Sequence, residues 1–265
     1  MRGLSLALRR HWPEYLIEAF GIGAFMVSAL SFTALLEHPA SPLRALLPDP
    51  LLRRALMGLA MGATGVALVY SPWGQRSGAH FNPALTFAFF RLGKVAGADA
   101  LLYAAAQLVG ALLGVLLAAQ ALGALVADPQ VRFAVTLPGA PGAVVAFGAE
   151  LAISFGLMFG VLAARSSPRT ARFTGLVAGL LVASYITFEA PLSGMSMNPA
   201  RTLGSAGGAR LFSSLWIYFT APPLGMLLAA ETWTRLRGAQ SVHCAKLHHE
   251  NEQRCIFRCS YRAAA

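Results

Sequence analysis

Ser77-Gly78-Ala79-His80-Phe81-Asn82-Pro83-Ala84-Leu85-Thr86 is echoed 116 residues later by Ser193-Gly194-Met195-Ser196-Met197-Asn198-Pro199-Ala200-Arg201-Thr202. Ser, Gly, Asn, Pro, Ala and Thr recur in register. Asn caps helix N-termini well and Pro suits the first helical position. Each Asn-Pro-Ala therefore reads as a helix start. The apolar pieces they open, about 82–91 and 198–208, are near ten residues each, half of the ~20 that a helix needs to cross a bilayer. A single Asn-Pro pair is a common turn. Two copies, each led by Ser-Gly at the same spacing, mark an internal repeat built on a helix that begins in mid-layer.

The flanking sequence says what the layer is. Of 265 residues, 56% are hydrophobic and only 12% charged, and mean hydropathy is +0.59; soluble domains carry about 25% charged residues. Six spans are predicted, near 14–36, 52–71, 98–121, 141–164, 171–190 and 212–233. The basic first ten residues lead into a long apolar stretch carrying Glu14 and Glu18, with no cleavage site, so a retained first helix is expected rather than a removed signal peptide. The net charge of +10 does not point to nucleic acid, because the basic residues lie in short connections between apolar spans. With the N-terminus inside, fifteen of the 21 Lys and Arg residues fall on the inner side, which favours cytoplasmic termini.

Each half thus reads as three spans with a broken element before the third, and each opens with a span carrying a glutamate, Glu18 or Glu150. Three is odd, so the second copy enters the membrane upside down. Paired interrupted segments in an inverted repeat point to a transport path. Two half-helices arriving from opposite faces meet near the midplane. Irregular backbone at that depth is tolerated only where it is buried or lines a water-filled cavity. Segments 71–81 and 191–197 should then offer carbonyl acceptors along a pore, with the Asn82 and Asn198 amides as donors. Both helix N-termini place partial positive charge at the same spot, which orients a passing water and repels cations.

These residues resemble the major intrinsic protein (aquaporin) family of bacterial type over about 12–235. The match rests on 77–84, Asn198-Pro199-Ala200-Arg201, Glu18, Glu150 and Tyr103-x3-Gln107. The resemblance implies an all-α membrane protein with six transmembrane helices and two re-entrant half-helices, one pore per chain, in a homotetramer. It implies a channel domain over 1–235, with repeats at about 12–121 and 141–233, and a separate cytoplasmic tail over 236–265. The implied function is passive passage of water and small uncharged solutes across a bacterial inner membrane, with no enzyme activity and no required cofactor. A glycerol, urea or metalloid facilitator and a structural protein with a vestigial pore are the alternatives. By the same resemblance Asn82, Pro83, Ala84, Asn198, Pro199 and Ala200 form the pore midplane, and Glu18 and Glu150 hold the loops. His80 shapes the inner mouth. Arg201 lies at the outer constriction, with Met61 or Gly62, Ile186 and Met195 completing the filter. Strict water channels carry a histidine where this chain has Ile186 and an aromatic where it has Met61 or Gly62, so this filter is less polar. Thr202, Tyr218 and Phe219 lean back toward water.

The tail lies outside that match. It clusters all three cysteines with histidines, as Cys244-x3-His248-His249-x5-Cys255-x3-Cys259. Cys and His in an inner segment suit tetrahedral Zn²⁺ rather than a secreted disulfide framework. The candidate ligands are Cys244, His248, Cys255 and Cys259, with His249 or His243 in place of His248; reduced thiols with no metal are the alternative.

Overall fold

The computed structural model describes residues 2–260. Among these are six long helices and two of about ten residues, besides shorter helical turns: α1 (Arg2–Glu37), α2 (Pro50–Tyr70), α3 (Pro83–Arg91), α4 (Gly97–Leu122), α5 (Ala143–Arg165), α6 (Thr174–Phe188), α7 (Pro199–Ala209) and α8 (Leu215–Arg237). Helices α1, α2, α4 (with the turn that follows it) and α5 are each long and apolar enough to cross a membrane. Helix α6 is shorter, at 15 residues, and α8 carries Arg235 and Arg237 in its last turn.

The first helix begins at Arg2 rather than near 14, with Leu4, Leu6, Ala7, Leu8, Arg9 and Arg10 as good helix formers ahead of Pro13, which the helix accommodates. Helix α6 starts after the expected 171, since Pro168–Ala171 forms a separate turn capped by the Ser167 side chain. The short helices open as the repeat predicts. The Asn82 side chain accepts from Ala84 N, and Asn198 accepts from Ala200 N and Arg201 N, with Pro at the first position of both.

Packing follows a pseudo-two-fold pattern. Helix α1 lies against α4, and its counterpart α5 lies against α8; α2 and α6 pair with each other across the repeat boundary. The half-helices cross over: α3 packs on α8 and α7 packs on α4. Glycines set the closest approaches. A Cβ on Gly110 would run into the Ala19 carbonyl, and one on Gly114 into the Gly23 carbonyl, so α1 and α4 touch backbone to backbone. Gly58 and Gly62 lie in the same way against the Ala183 and Gly179 carbonyls of α6. Large apolar side chains such as Leu113, Leu116, Leu117 and Leu180 are exposed on the outside of the bundle, where lipid is the solvent that suits them.

Gly114→Ala should lower the melting temperature in detergent, because the new methyl collides with α1 backbone that cannot yield. Gly65→Ala, with nothing within 4 Å of its Cβ, should be neutral or gain about 0.5–1 kcal/mol from reduced chain entropy. Thermal unfolding of the two variants side by side checks the sign difference.

Candidate functional site

The carboxylates of Glu18 on α1 and Glu150 on α5 are fully buried. Glu18 Oε1 accepts from Ser77 Oγ (2.7 Å) and His80 N (3.1 Å), and Oε2 accepts from Phe81 N (2.6 Å) and Gln107 Nε2 (2.7 Å). Glu150 repeats the pattern on the other loop. It accepts from Ser193 Oγ (2.8 Å), Ser196 N (2.6 Å) and Met197 N (2.7 Å). Tyr103 on α4 donates to Ser77 O at 2.7 Å, and Tyr218 on α8 donates to Ser193 O at 2.5 Å. The clamped backbone is unusual: Ala79, Phe81, Met195 and Met197 have φ of 58°, 48°, 51° and 53°, a left-handed conformation that costs non-glycine residues roughly 1–3 kcal/mol each. Charge-assisted hydrogen bonds to the glutamates hold it in place.

Between the clamps the two loops are tied tip to tip. Asn82 Nδ2 donates to Met197 O and Asn198 Nδ2 donates to Phe81 O, both at 2.8 Å. Each asparagine oxygen caps its own half-helix, so one amide hydrogen of each residue remains for a guest. Pro83, Ala84, Pro199 and Ala200 are buried at the helix starts and align the two N-termini on the same point.

A cavity of ≈ 540 Å³ threads this point. One end is lined by Glu37, Arg54 and Gln130, the middle by Asn82, Asn198 and Arg201, and the other end by Val69, Ala79, His80 and Leu247. Of the expected filter residues, Met61, Ile186, Met195 and Arg201 line the cavity, whereas Gly62 does not; it is turned to α6, pressed against Gly179. Sequence reading missed the apolar stripes that continue the lining, Met57 before Met61 and Ala178 and Val182 before Ile186. Their i, i+4 spacing was the available signal. His80 packs between Phe89 and Phe257, and its Nε2 faces the Ala245 carbonyl at 3.0 Å.

The tail is folded onto this end of the cavity. Cys244, His249, Cys255 and Cys259 bring one ligand atom each within 4.8 Å of one another. The expected ligand His248 is elsewhere, with its ring edge-on to Tyr70 at 5.0 Å; of its two named substitutes, His249 takes the place. Burial pushes the His248 imidazole below its ordinary range. A hydrogen bond between Cys244 and Cys255 (Sγ to Sγ 3.5 Å) pushes the Cys255 thiol down and Cys244 up. The donor set is right for a soft or borderline divalent metal.

The comparisons with known proteins agree with this geometry. The family model described as Major intrinsic protein matches residues 9–233. Aquaporin NIP6-1 of Arabidopsis thaliana is 39% identical over 181 residues, covering 68% of this chain and 57% of that protein. Aquaporin NIP2-3 of Zea mays is 35% identical over 189 residues, covering 71% of this chain and 60% of its own. The chain thus spans about three fifths of the length of these curated relatives. The X-ray structure of the aquaglyceroporin from Plasmodium falciparum superposes with a TM-score of 0.71 at 19% identity, over 87% of this chain and 98% of that one, a likeness of fold.

Glu18→Gln and Glu150→Gln should each destabilise the folded protein by on the order of 3 kcal/mol, since an amide removes one acceptor oxygen and turns a donor toward buried backbone N–H groups. Glu231→Gln, at a part-exposed ion pair with Arg91, should cost under about 1 kcal/mol. Thermal or denaturant unfolding in detergent checks both.

Proposed function

The chain belongs to the major intrinsic protein family, and from that premise we propose that it is a passive pore for water and small neutral solutes that excludes ions and protons. It is an integral membrane protein and a channel, not an enzyme. The observation that carries the reading is the meeting of two half-helix N-termini, with Asn82 and Asn198, inside one continuous cavity. A water accepting from both amides turns its hydrogens outward, and a chain of such waters cannot relay a proton through the midplane. The positive helix ends oppose cations at the midplane, and the Arg201 guanidinium opposes them at the filter.

The filter sets the solute range. Met61, Ile186 and Met195 present apolar surface opposite Arg201, so a permeant must leave part of its hydration behind while receiving few hydrogen bonds from the wall. That favours small uncharged molecules and penalises ions. The reading therefore extends from water to compact neutral solutes of the glycerol or urea class. Both termini lie on the cytoplasmic side in this proposal, supported by the Lys and Arg bias and by the tail's Arg254 donating to Arg10 O at 3.1 Å, which puts the two ends together. The location proposed is a plasma (inner) membrane. A bacterial host finds no support in the relatives named, which are plant proteins. A homotetramer, with one pore in each subunit, is proposed from family membership. Permeation itself needs no cofactor, and the tail's Cys and His group is a candidate Zn²⁺ site separate from the pore lining.

Reconstituted vesicles, assayed in chelating and reducing buffer, should shrink faster than empty ones under an osmotic step, with a low activation energy and background proton conductance. Permeability equal to that of bare lipid, with protein correctly inserted, would remove the channel reading. Ile186→His should narrow the constriction and cut glycerol or urea flux more than water flux; an unchanged solute-to-water ratio in stopped-flow light scattering would show that Ile186 is not at the constriction. Arg201→Val should raise cation leak or admit larger solutes in the same assay.

A further inference from the structure

Residues 242–260 do not hang free of the bundle. Cys244, Ala245, Lys246, Leu247 and Phe257 are all at least nine-tenths buried. The segment is fastened to the pore loop itself: Leu247 N donates to Gly78 O at 3.0 Å, and the Ala245 carbonyl meets His80 Nε2. The Phe257 ring stacks on His80 with centroids 5.3 Å apart and meets Tyr103 edge-on. Gly78, at φ 97°, makes room for it, since a Cβ there would lie 2.6 Å from the Phe257 ring. Arg258 N donates to Lys94 O and Arg254 to Arg10 O, so the segment is anchored on several sides of the mouth.

Two features give this arrangement a purpose. Gly78 O, in the loop that leads to Asn82 and next to the cavity-lining Ala79, is taken by a tail N–H. Leu247 is the tail residue that lines the cavity.

The cover has little internal structure to hold it. Apart from one short turn at Ala239–Ser241 it has no helix or strand through residue 260. The four grouped side chains supply the missing constraint. Cys244 Sγ to Cys255 Sγ is 3.5 Å, Cys259 Sγ to His249 Nε2 is 3.0 Å and all four ligand atoms lie within 4.8 Å of one another, so shifts of up to about 1 Å bring them to the edges of about 3.5–3.8 Å in a tetrahedral zinc site of three thiolates and one imidazole. The three thiols are free, and the Cys244 to Cys255 separation is well beyond a disulfide bond. The four ligands span residues 244–259 and so bracket both Leu247 and Phe257.

We propose that Cys244, His249, Cys255 and Cys259 bind one Zn²⁺ per chain, and that the metal holds the tail as a plug on the pore mouth beside the chain termini, making permeability dependent on metal occupancy. Loss of the metal releases the chain between the ligands, frees Gly78 O and removes Leu247 from the end of the cavity. Structural zinc commonly organises short segments that lack a core of their own. This rests on the channel reading, and the measurements separate the two.

The test uses full-length protein purified in reductant without a histidine tag or chelator, then reconstituted. Elemental analysis should give one zinc per chain, and cobalt substitution should give the absorption of a tetrahedral thiolate site. Water permeability should rise several-fold on stripping with a membrane-permeant chelator and fall again when zinc is restored. Cys255→Ser with Cys259→Ser should abolish binding and give the high permeability from the start. Leu247→Ser with Phe257→Ala leaves all four ligands and should keep the zinc, yet be permeable with or without chelator. Absence of stoichiometric zinc, or a Cys244–Cys255 disulfide in its place, overturns the site. Bound zinc with equal, above-lipid permeability in loaded and stripped protein overturns the plug and leaves the channel standing. Permeability at the lipid level in every form, including the double variants, overturns the plug and the channel reading together.

Discussion

Two buried carboxylates hold the two irregular loops in place. A re-entrant loop presents several N–H groups in a region where neither water nor a neighbouring strand can accept from them, and a chain in that state would withdraw toward the surface or collapse into helix. Glu18 and Glu150 collect those N–H groups on one side of each loop. The opposite side is thereby left to the cavity, and the left-handed residues at 79, 81, 195 and 197 follow from that division. The tip-to-tip asparagine ties, the convergence of the half-helix dipoles and the position of Arg201 all require the loops to stay where the glutamates put them.

The part of this that the sequence discloses is the part that repeats. Asn82 and Asn198 and the Ser-Gly leaders recur at matched spacing, so the half-helices could be read without coordinates; one glutamate opens each half, and its clamping role came from the family resemblance. Periodicity also placed the long helices, but not their ends. Arg2–Glu37 overruns its expected start because Leu, Ala and Arg dominate its first turns, and Thr174–Phe188 falls short where a capped turn intervenes. A one-residue gap in the alignment to the family pattern leaves Met61 and Gly62 both open; Met61 lines the cavity, whereas Gly62 brings α2 onto Gly179. His249 rather than His248 joins the thiols; in a segment without regular secondary structure, spacing alone does not say which side chain faces inward.

The half-repeat symmetry makes the tail the most asymmetric feature of the molecule. Loop 77–82 and loop 193–198 are near copies in clamp, cap and tie, yet Phe257 and Leu247 sit on the first alone. At the second, residues of the long connection between the halves approach Gly194, with Thr136 hydrogen-bonded to Thr202 at 2.9 Å. The two ends of one cavity thus meet different chemistry: the connection between the halves at one, and the C-terminal segment at the other.

The exchange of half-helices between the repeats has a consequence for biosynthesis. Helix α3 packs on α8, and α7 packs on α4, so the first re-entrant segment meets its partner only after well over a hundred further residues have been made. A ribosome adds roughly 5–20 residues per second, so 77–91 waits for several seconds or more with its long-range packing incomplete. Glu18 and Tyr103, both in the first half, already reach this loop. They allow a nascent half to park its broken element in roughly the final geometry until α8 arrives. The clamp residues thus act as intramolecular placeholders during insertion, and a defect in one would surface first as degraded nascent chains, before any question of transport arises.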